Sequence, residues 1–341
     1  MSVPEEVLVD EAARETYPAS DAPSWTPTHA GTPLHPRHRT GNPTDVQRRL
    51  RANVEAITLA IEREQQRRAS DAGEARRSTA NFIANAFLEA GRTVTRIPLG
   101  VETTVETVEA ILHGTPSADN DGQIVVGVSY DGLVPSPAPA AAGVANAISD
   151  NSSIVTLLAL ARHLEGTSFI RTVRLVAFAN APHDLPLSGL SRDRRGSRVY
   201  ARRLRDRHVH VHGMIGLDSL ALSNPDGAMV AIYGNTASRD LAKELRQGFR
   251  RGSPLPLRTF VLPSLLPLVS SADQRSFWRE GMAAARLSAF PPSYFGQPAR
   301  PISPAHTPAP KADFDVITTF VLGLAQAVSD LAGGEAQRLK A

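Results

Sequence analysis

Residues Ala147 to Glu165 read A-I-S-D-N-S-S-I-V-T-L-L-A-L-A-R-H-L-E, and the rest of the chain can be interpreted outward from them. The polar residues from Ser149 to Ser152 are typical of a helix start. The apolar residues that follow recur at helical spacing. This segment therefore predicts a buried helix that begins near Asp150.

A second informative segment lies just upstream, where Gln123–Asp131 reads Q-I-V-V-G-V-S-Y-D. A short β-branched run that ends in a carboxylate predicts a buried strand. Open α/β sheets form ligand sites where a strand leads through a loop to a helix N-terminus. We therefore expect Asp150 at the carboxyl edge of a sheet, where such proteins hold metals or substrates.

The second half of the chain alternates between predicted strands and predicted helices. Strands are predicted at 172–179, 208–218, 228–233, 258–262 and 284–288, and helices at 197–207, 238–250, 272–280 and 314–331. Helices at 44–67 and 71–90 and strands at 93–98 and 103–112 come earlier. This alternation predicts an α/β fold, a three-layer α/β/α sandwich with a mixed, mainly parallel central sheet. We expect one domain over residues 44–335.

The two ends of the chain are expected to lie outside this domain, as an N-terminal tail over 1–43 and a C-terminal tail over 336–341. Residues 1–43 are rich in Pro, Ser, Thr, Asp and His and show no hydrophobic period, which is typical of a disordered or extended segment. Tyr17 and Trp25 are candidate anchors that would dock this segment on a partner or on the folded domain. The alternative is a solvated tail.

The composition excludes several classes of protein. Of the 341 residues, 42% are hydrophobic and 21% are charged, as in ordinary soluble domains. The chain has no run of 18 apolar residues, so the sequence predicts no membrane span. The absence of cysteine excludes disulfides and thiolate chemistry, and the acidic N-terminus lacks a signal-peptide pattern, so we expect a cytoplasmic protein. A net charge of +3 and the lack of a phosphate-loop motif do not favour nucleic acid or a nucleotide.

Five segments of the chain match the motifs of one family in the same order. They are G-V-S-Y-D, S-D-N-S-S-I-V-T-L-L-A-L-A-R, R-T-V-R-L-V-A-F-A-N-A-P with G-S-R-V-Y-A, G-L-D-S-L, and S-A-D-Q-R-S-F-W-R-E-G with A-H-T-P. In these segments the chain resembles the co-catalytic di-zinc aminopeptidases, metallopeptidases that include bacterial leucyl-type aminopeptidases and glutamate carboxypeptidases. The resemblance runs from about Thr44 to Asp330 and implies their α/β sandwich.

The resemblance also implies a metal site, because members of this family bind two zinc ions through five protein ligands. Two cations lower the pKa of a bound water and polarise the peptide carbonyl, while a glutamate acts as general base. Carried over by position, the bridging aspartate is Asp150, the ligand at a strand end is Asp218, and the last histidine is His306. Two carboxylates that lie beside family ligands, Asp131 and Asp273, are also present.

Other positions of the implied site are lost. Ser129 replaces the first histidine, and Gln274 replaces the histidine of the late block. Ala181 stands where the general base would be, and Pro182 stands where a ligand glutamate would be. Each zinc position keeps only two protein ligands, fewer than the three or four that zinc usually has. We therefore expect a non-catalytic pseudo-peptidase with weak or absent zinc binding, and a peptide or protein as its ligand.

Alternatives to this interpretation remain open. His183 or Asp184 can act as substitute ligands, which would make an active metallo-aminopeptidase with a rearranged site. Asp150 can instead cap its helix, while Asp218 and His306 can hydrogen-bond one another. A purely structural or assembly role is a third hypothesis, and self-association is left open.

Two further patterns concern the surface. The run H-V-H-V-H would place His208, His210 and His212 on one strand face, as an exposed polar face or a transition-metal site. Arg192–Arg207 is the densest positive charge, and its helix would carry Arg198, Arg202 and Arg205 on one side. An acidic partner or nucleic acid would fit this charge, but the interleaved aspartates favour a solvated face.

Overall fold

The fold was obtained as a computed structural model that describes residues 45–66, 72–99, 105–115, 122–130, 143–179, 195–220, 229–263, 273–290 and 313–333. The helices are α1 Asp45–Gln66, α2 Ala72–Glu89, α3 Gly143–His163, α4 Gly196–Asp206, α5 Arg239–Gly252, α6 Gln274–Trp278 and α7 Phe314–Leu331. The strands are β1 Thr93–Pro98, β2 Glu106–Leu112, β3 Gln123–Ser129, β4 Val173–Phe178, β5 Val211–Leu220, β6 Met229–Gly234, β7 Leu257–Val261 and β8 Ala284–Phe290.

The eight strands form one mixed sheet in the order β1-β2-β4-β3-β5-β8-β6-β7. The four central strands β4, β3, β5 and β8 run parallel to one another. Antiparallel pairing joins β1 to β2, β2 to β4 and β6 to β8, and β6 pairs in parallel with β7. The carboxyl ends of the four central strands therefore meet at one edge of the sheet.

Helices cover both faces of the sheet, because alternate residues of each strand enter different cores. Val126 and Ile215 pack with α1, α2, α3, α5 and α7 in the larger core. Val125 and Met214 pack with α4 and α6 in the smaller core. The predicted three-layer α/β/α sandwich with a mixed, mainly parallel sheet is confirmed.

One described helix, α7, is long and apolar enough to cross a membrane by length and composition alone. Twelve of its eighteen residues are buried, and the helix belongs to the larger core. A helix that is apolar on most sides is typical of the interior of a large domain. We therefore interpret α7 as a core helix of the sandwich.

Two predicted boundaries are wrong. The central helix begins at Gly143, so Asp150 lies in its third turn and does not cap its N-terminus. The residues before Ser149 include Ala145 and Ala147, and alanine has the highest helix propensity. Strand β5 begins at Val211, and His208 has a positive φ of 54°, so the three histidines do not share a strand face.

The start of α4 is held against the end of β4 by a close backbone contact at Gly196. Its N–H donates to the Ala179 carbonyl oxygen at 2.7 Å. A Cβ atom at this position would overlap that oxygen and would lie 2.7 Å from Oγ1 of Thr107. The sequence G-S-R-V-Y-A therefore needs glycine because a side chain would push α4 off the sheet.

A buried polar network holds the middle of α4. The Tyr200 hydroxyl and Nη1 of Arg174 both donate to Oε1 of Glu109, the arginine at 2.6 Å. Nε of Arg174 donates to Gln123. Burial and the neighbouring Glu109 carboxylate raise the pKa of Tyr200 well above its ordinary value, so the phenol keeps its proton. This network links α4 to β2, β3 and β4.

We expect Gly196→Ala to lower the free energy of unfolding by about 1–3 kcal/mol, the usual range for overpacking a tight site. Chemical denaturation followed by circular dichroism measures the change. Gly234→Ala is the matched control, because its Cβ would meet only ordinary contacts at 3.6 Å from Ala242 and Ser238. Equal losses in the two variants would contradict a special role for the Gly196 contact.

Candidate functional site

Two of the residues singled out by the sequence lie at the carboxyl edge of the sheet. Val128 of β3 is paired with Leu217 of β5, so Ser129 and Asp218 are the next residues outward on neighbouring parallel strands. The pairing of β5 with β8 shifts register between Leu217 and Leu220, and Asp218 falls within this irregularity. Such bulges commonly re-aim a side chain near a functional site.

The Asp218 carboxylate is paired with a guanidinium from the neighbouring strand. Nη1 of Arg286 on β8 donates to Oδ2 of Asp218 at 3.0 Å. The Arg286 side chain is 8% exposed and the Asp218 side chain is 39% exposed, so the cation is the more deeply buried partner. A charge this deep in the protein is stable only when it is paired and hydrogen-bonded.

An aromatic ring completes the surroundings of Arg286. Cζ of Arg286 lies 4.8 Å from the centroid of the Tyr233 ring on β6, which is a cation–π distance. Burial raises the pKa of Tyr233, and the positive charge of Arg286 acts in the opposite direction. Tyr233 also stacks on Phe260 of β7 with ring centroids 5.2 Å apart. The guanidinium is therefore held between a carboxylate and an aromatic face.

The late block of the resemblance forms α6, which packs on the smaller core through Phe277. Gln274 is fully buried, and neither its side-chain oxygen nor its nitrogen has a hydrogen-bond partner among the described residues. Asp273 immediately precedes the helix and makes no side-chain cap there. Oγ of Ser276 lies 3.0 Å from Oγ of Ser197, which joins α6 to α4.

The remaining residues of the implied site are outside the described residues. These are Asp131, Ala181, Pro182, His183, Asp184 and His306, together with the side chain of Asp150. Within the described part of the chain, no group of three or more His, Cys, Asp or Glu residues comes together as a metal site would require. The structure thus places Ser129 and Asp218 on adjacent strands, and it shows that Arg286 of β8 contacts Asp218.

The described residues do not fit the zinc pair that the resemblance implies. Ser129 offers a neutral hydroxyl where an imidazole would bind, and an oxygen of Asp218 already accepts from Arg286. Zinc sites are built from three or four thiolate, imidazole or carboxylate ligands. Among the described residues at this edge, Asp218 is the only such side chain of the implied site, and the charge beside it is the Arg286 guanidinium.

Sequence reasoning missed Arg286, although the sequence holds a signal. It is the one charged residue in the strand A-A-R-L-S-A-F. A single charged residue in an apolar strand predicts a buried ion pair, because burying a charge without a partner costs several kcal/mol of free energy. The partner was not evident, since 68 positions separate Asp218 from Arg286 along the chain.

Comparisons with solved structures agree with the fold. The Legionella pneumophila aminopeptidase LapA superposes with a TM-score of 0.60 at 14% identity, over 84% of this chain and 75% of that one. A glutaminyl cyclase from Macrostomum lignano superposes with a TM-score of 0.57 at 12% identity, over 86% and 94% of the two chains.

A leucine aminopeptidase precursor from Bacteroides thetaiotaomicron gives a TM-score of 0.51 at 12% identity, over 83% and 97%. No protein-family model matches the chain, and no curated protein is significantly similar to it in sequence. At such low identities the likeness concerns the fold alone. The chain therefore has the sandwich fold found in aminopeptidases and glutaminyl cyclases.

The unequal burial of the ion pair leads to a prediction about stability. We expect Asp218→Asn to lower the free energy of unfolding by about 2 kcal/mol, because it leaves the buried guanidinium without its carboxylate. Arg286→Met should lower it by about 1 kcal/mol, because the remaining carboxylate is partly solvated. Chemical denaturation of both variants and of the double variant measures these effects.

The double variant provides the control for this prediction. Since each single change breaks the same contact, the double variant should lose less than the sum of the two single losses. Strictly additive losses, or a larger loss for Arg286→Met than for Asp218→Asn, would show that the ion pair does not determine stability at this edge.

Proposed function

We propose that this chain is a non-catalytic member of the peptidase-like fold, which uses the carboxyl edge of the sheet to bind a peptide or protein. The contact between Arg286 and Asp218 carries this proposal. Asp218 is the one implied metal ligand whose carboxylate the structure describes, and this contact pairs it with a cation of the protein itself. The fold supports a peptidase-like scaffold, and the chemistry of the edge supports binding without hydrolysis.

Electrostatics support the proposal. The Arg286 guanidinium would repel a cation bound to the Asp218 carboxylate. At an assumed separation of about 5 Å and an effective dielectric constant of about 20, a dication and a unit charge repel by about 7 kcal/mol. The ion would need a full set of other ligands to offset this repulsion, and Ser129 contributes a neutral oxygen only.

The residues at the general-base position also support the proposal that the chain is not catalytic. Ala181 has no group that accepts a proton, and Pro182 has no side-chain donor for a metal. General base catalysis typically contributes about 10²–10⁴-fold to a hydrolytic rate. Even with a single ion at this edge, hydrolysis would therefore lack the carboxylate that takes the proton from water.

We predict that the purified protein shows no zinc-dependent hydrolysis of amino-acid anilides and no tight zinc binding. Isothermal titration with zinc and an anilide assay measure the two properties. Hydrolysis by the unmodified chain that is lost on chelation and in His306→Ala would overturn the pseudo-peptidase proposal. That result would favour the rearranged site that uses His183 or Asp184.

Two variants in which lost ligand and base positions are restored measure the effect of Arg286 on zinc affinity. The first carries Ser129→His, Ala181→Glu and Pro182→Glu, and the second adds Arg286→Met. We expect zinc to bind the second variant at least 10-fold more tightly than the first, because removing the guanidinium removes the repulsion. Equal affinities in two folded variants would show that the guanidinium does not oppose the metal.

A further inference from the structure

The exposed side of α4 carries a cluster of arginines around one buried carboxylate. Nη2 of Arg198 lies 3.9 Å and Nε of Arg202 lies 3.7 Å from Oε1 of Glu280, and Arg205 donates a hydrogen bond to the same carboxylate. The Glu280 side chain is only 3% exposed. Among the described residues, the Glu280 carboxylate therefore lies near three guanidinium groups of one helix.

The charge of the whole helix is larger still. Residues Arg195–Arg207 contain six arginines and one aspartate, a net charge of +5, whereas the complete chain carries +3. The aspartate, Asp206, is paired with Arg205. We call the exposed surface of this helix and its caps, Arg195–Arg207, the basic face. Concentrated charge of one sign on a single helix attracts a segment of the opposite sign.

The same chain contains such a segment at its N-terminus. Residues 1–21 hold six carboxylates and one arginine, a net charge of −5. The carboxylates are Glu5, Glu6, Asp10, Glu11, Glu15 and Asp21. We propose that residues 1–21, the acidic segment, bind the basic face of α4 in the same molecule. The two net charges have opposite signs, which favours contact between the acidic segment and the basic face.

The connection between the two is long enough. Residues 22–44 contain no acidic residue and join the acidic segment to Asp45, the first residue of α1. Fully extended, these 23 residues span at most about 80 Å. A domain of about 290 residues has a radius of gyration of about 19 Å. The chain can therefore pass from α1, on one face of the sheet, to α4 on the other.

The covalent link also favours this occupant over an external one. A segment tethered by a short linker is present at an effective concentration in the millimolar range. A second copy or an acidic partner would have to exceed that concentration to compete. Exposed ion pairs are weak singly, but several that form together between fixed arginines and a linked acidic segment add up.

The absence of cysteine in the chain permits a direct test. Ala13→Cys places one thiol in the acidic segment, and a nitroxide attached there broadens backbone amide signals that come close to it. We expect the signals of Arg203–Val209 in the ¹⁵N-labelled full chain to lose intensity relative to the reduced label. The loss should disappear at about 0.5 M salt, where the screening length falls to about 4 Å.

Charge reversal on α4 provides the specific control. Arg203→Glu with Arg207→Glu should abolish the broadening and leave the rest of the amide spectrum unchanged. Arg239→Glu with Arg250→Glu reverses two exposed arginines on α5 and should leave the broadening as it was. If both pairs abolish the broadening, the attraction is not specific to α4 and the proposal fails.

A mixed sample decides which copy supplies the segment. Nitroxide-labelled chains without ¹⁵N are mixed with ¹⁵N-labelled chains that carry no label. Broadening in this mixture as strong as in the doubly labelled chain would assign the segment to a second copy and overturn binding within one molecule. No broadening in either sample at low salt would leave the basic face to an external acidic partner and would equally overturn the proposal.

Discussion

The pairing of the Arg286 guanidinium with the Asp218 carboxylate controls the chemistry of this sheet edge. The cation lies deep between β5, β6 and β8, and Tyr233 closes it from one side. The carboxylate compensates the charge of the buried guanidinium within the protein. Ser129, the described residue at the end of the neighbouring strand β3, adds no charge to this edge.

The residues of the segment G-S-R-V-Y-A have structural roles in this fold. Gly196 allows the start of α4 to contact the end of β4, and Ser197 connects that helix to α6. Tyr200 closes the buried network around Glu109 and Arg174. These are packing roles, and they do not require a metal ion.

The distribution of charge separates two regions with different physical behaviour. At the carboxyl edge, one buried cation and one partly exposed anion cancel locally. On α4, arginines exceed carboxylates in the sequence, and Arg207 at the end of the helix is exposed to solvent. Buried pairs respond little to salt, whereas the attraction of an exposed basic helix falls steeply with ionic strength.

Local sequence patterns were sufficient for most elements of the fold. A continuous β-branched run predicted the buried strand β3, and the helix α7 was predicted over Phe314–Leu331, because both patterns lie within one short segment. The start of α3 was predicted too late, since polar residues at Ser149–Ser152 resemble a cap although the alanine-rich residues before them continue the helix. Only the tertiary structure revealed the partner of Asp218, because strand order and register bring β5 beside β8 across 68 positions of sequence.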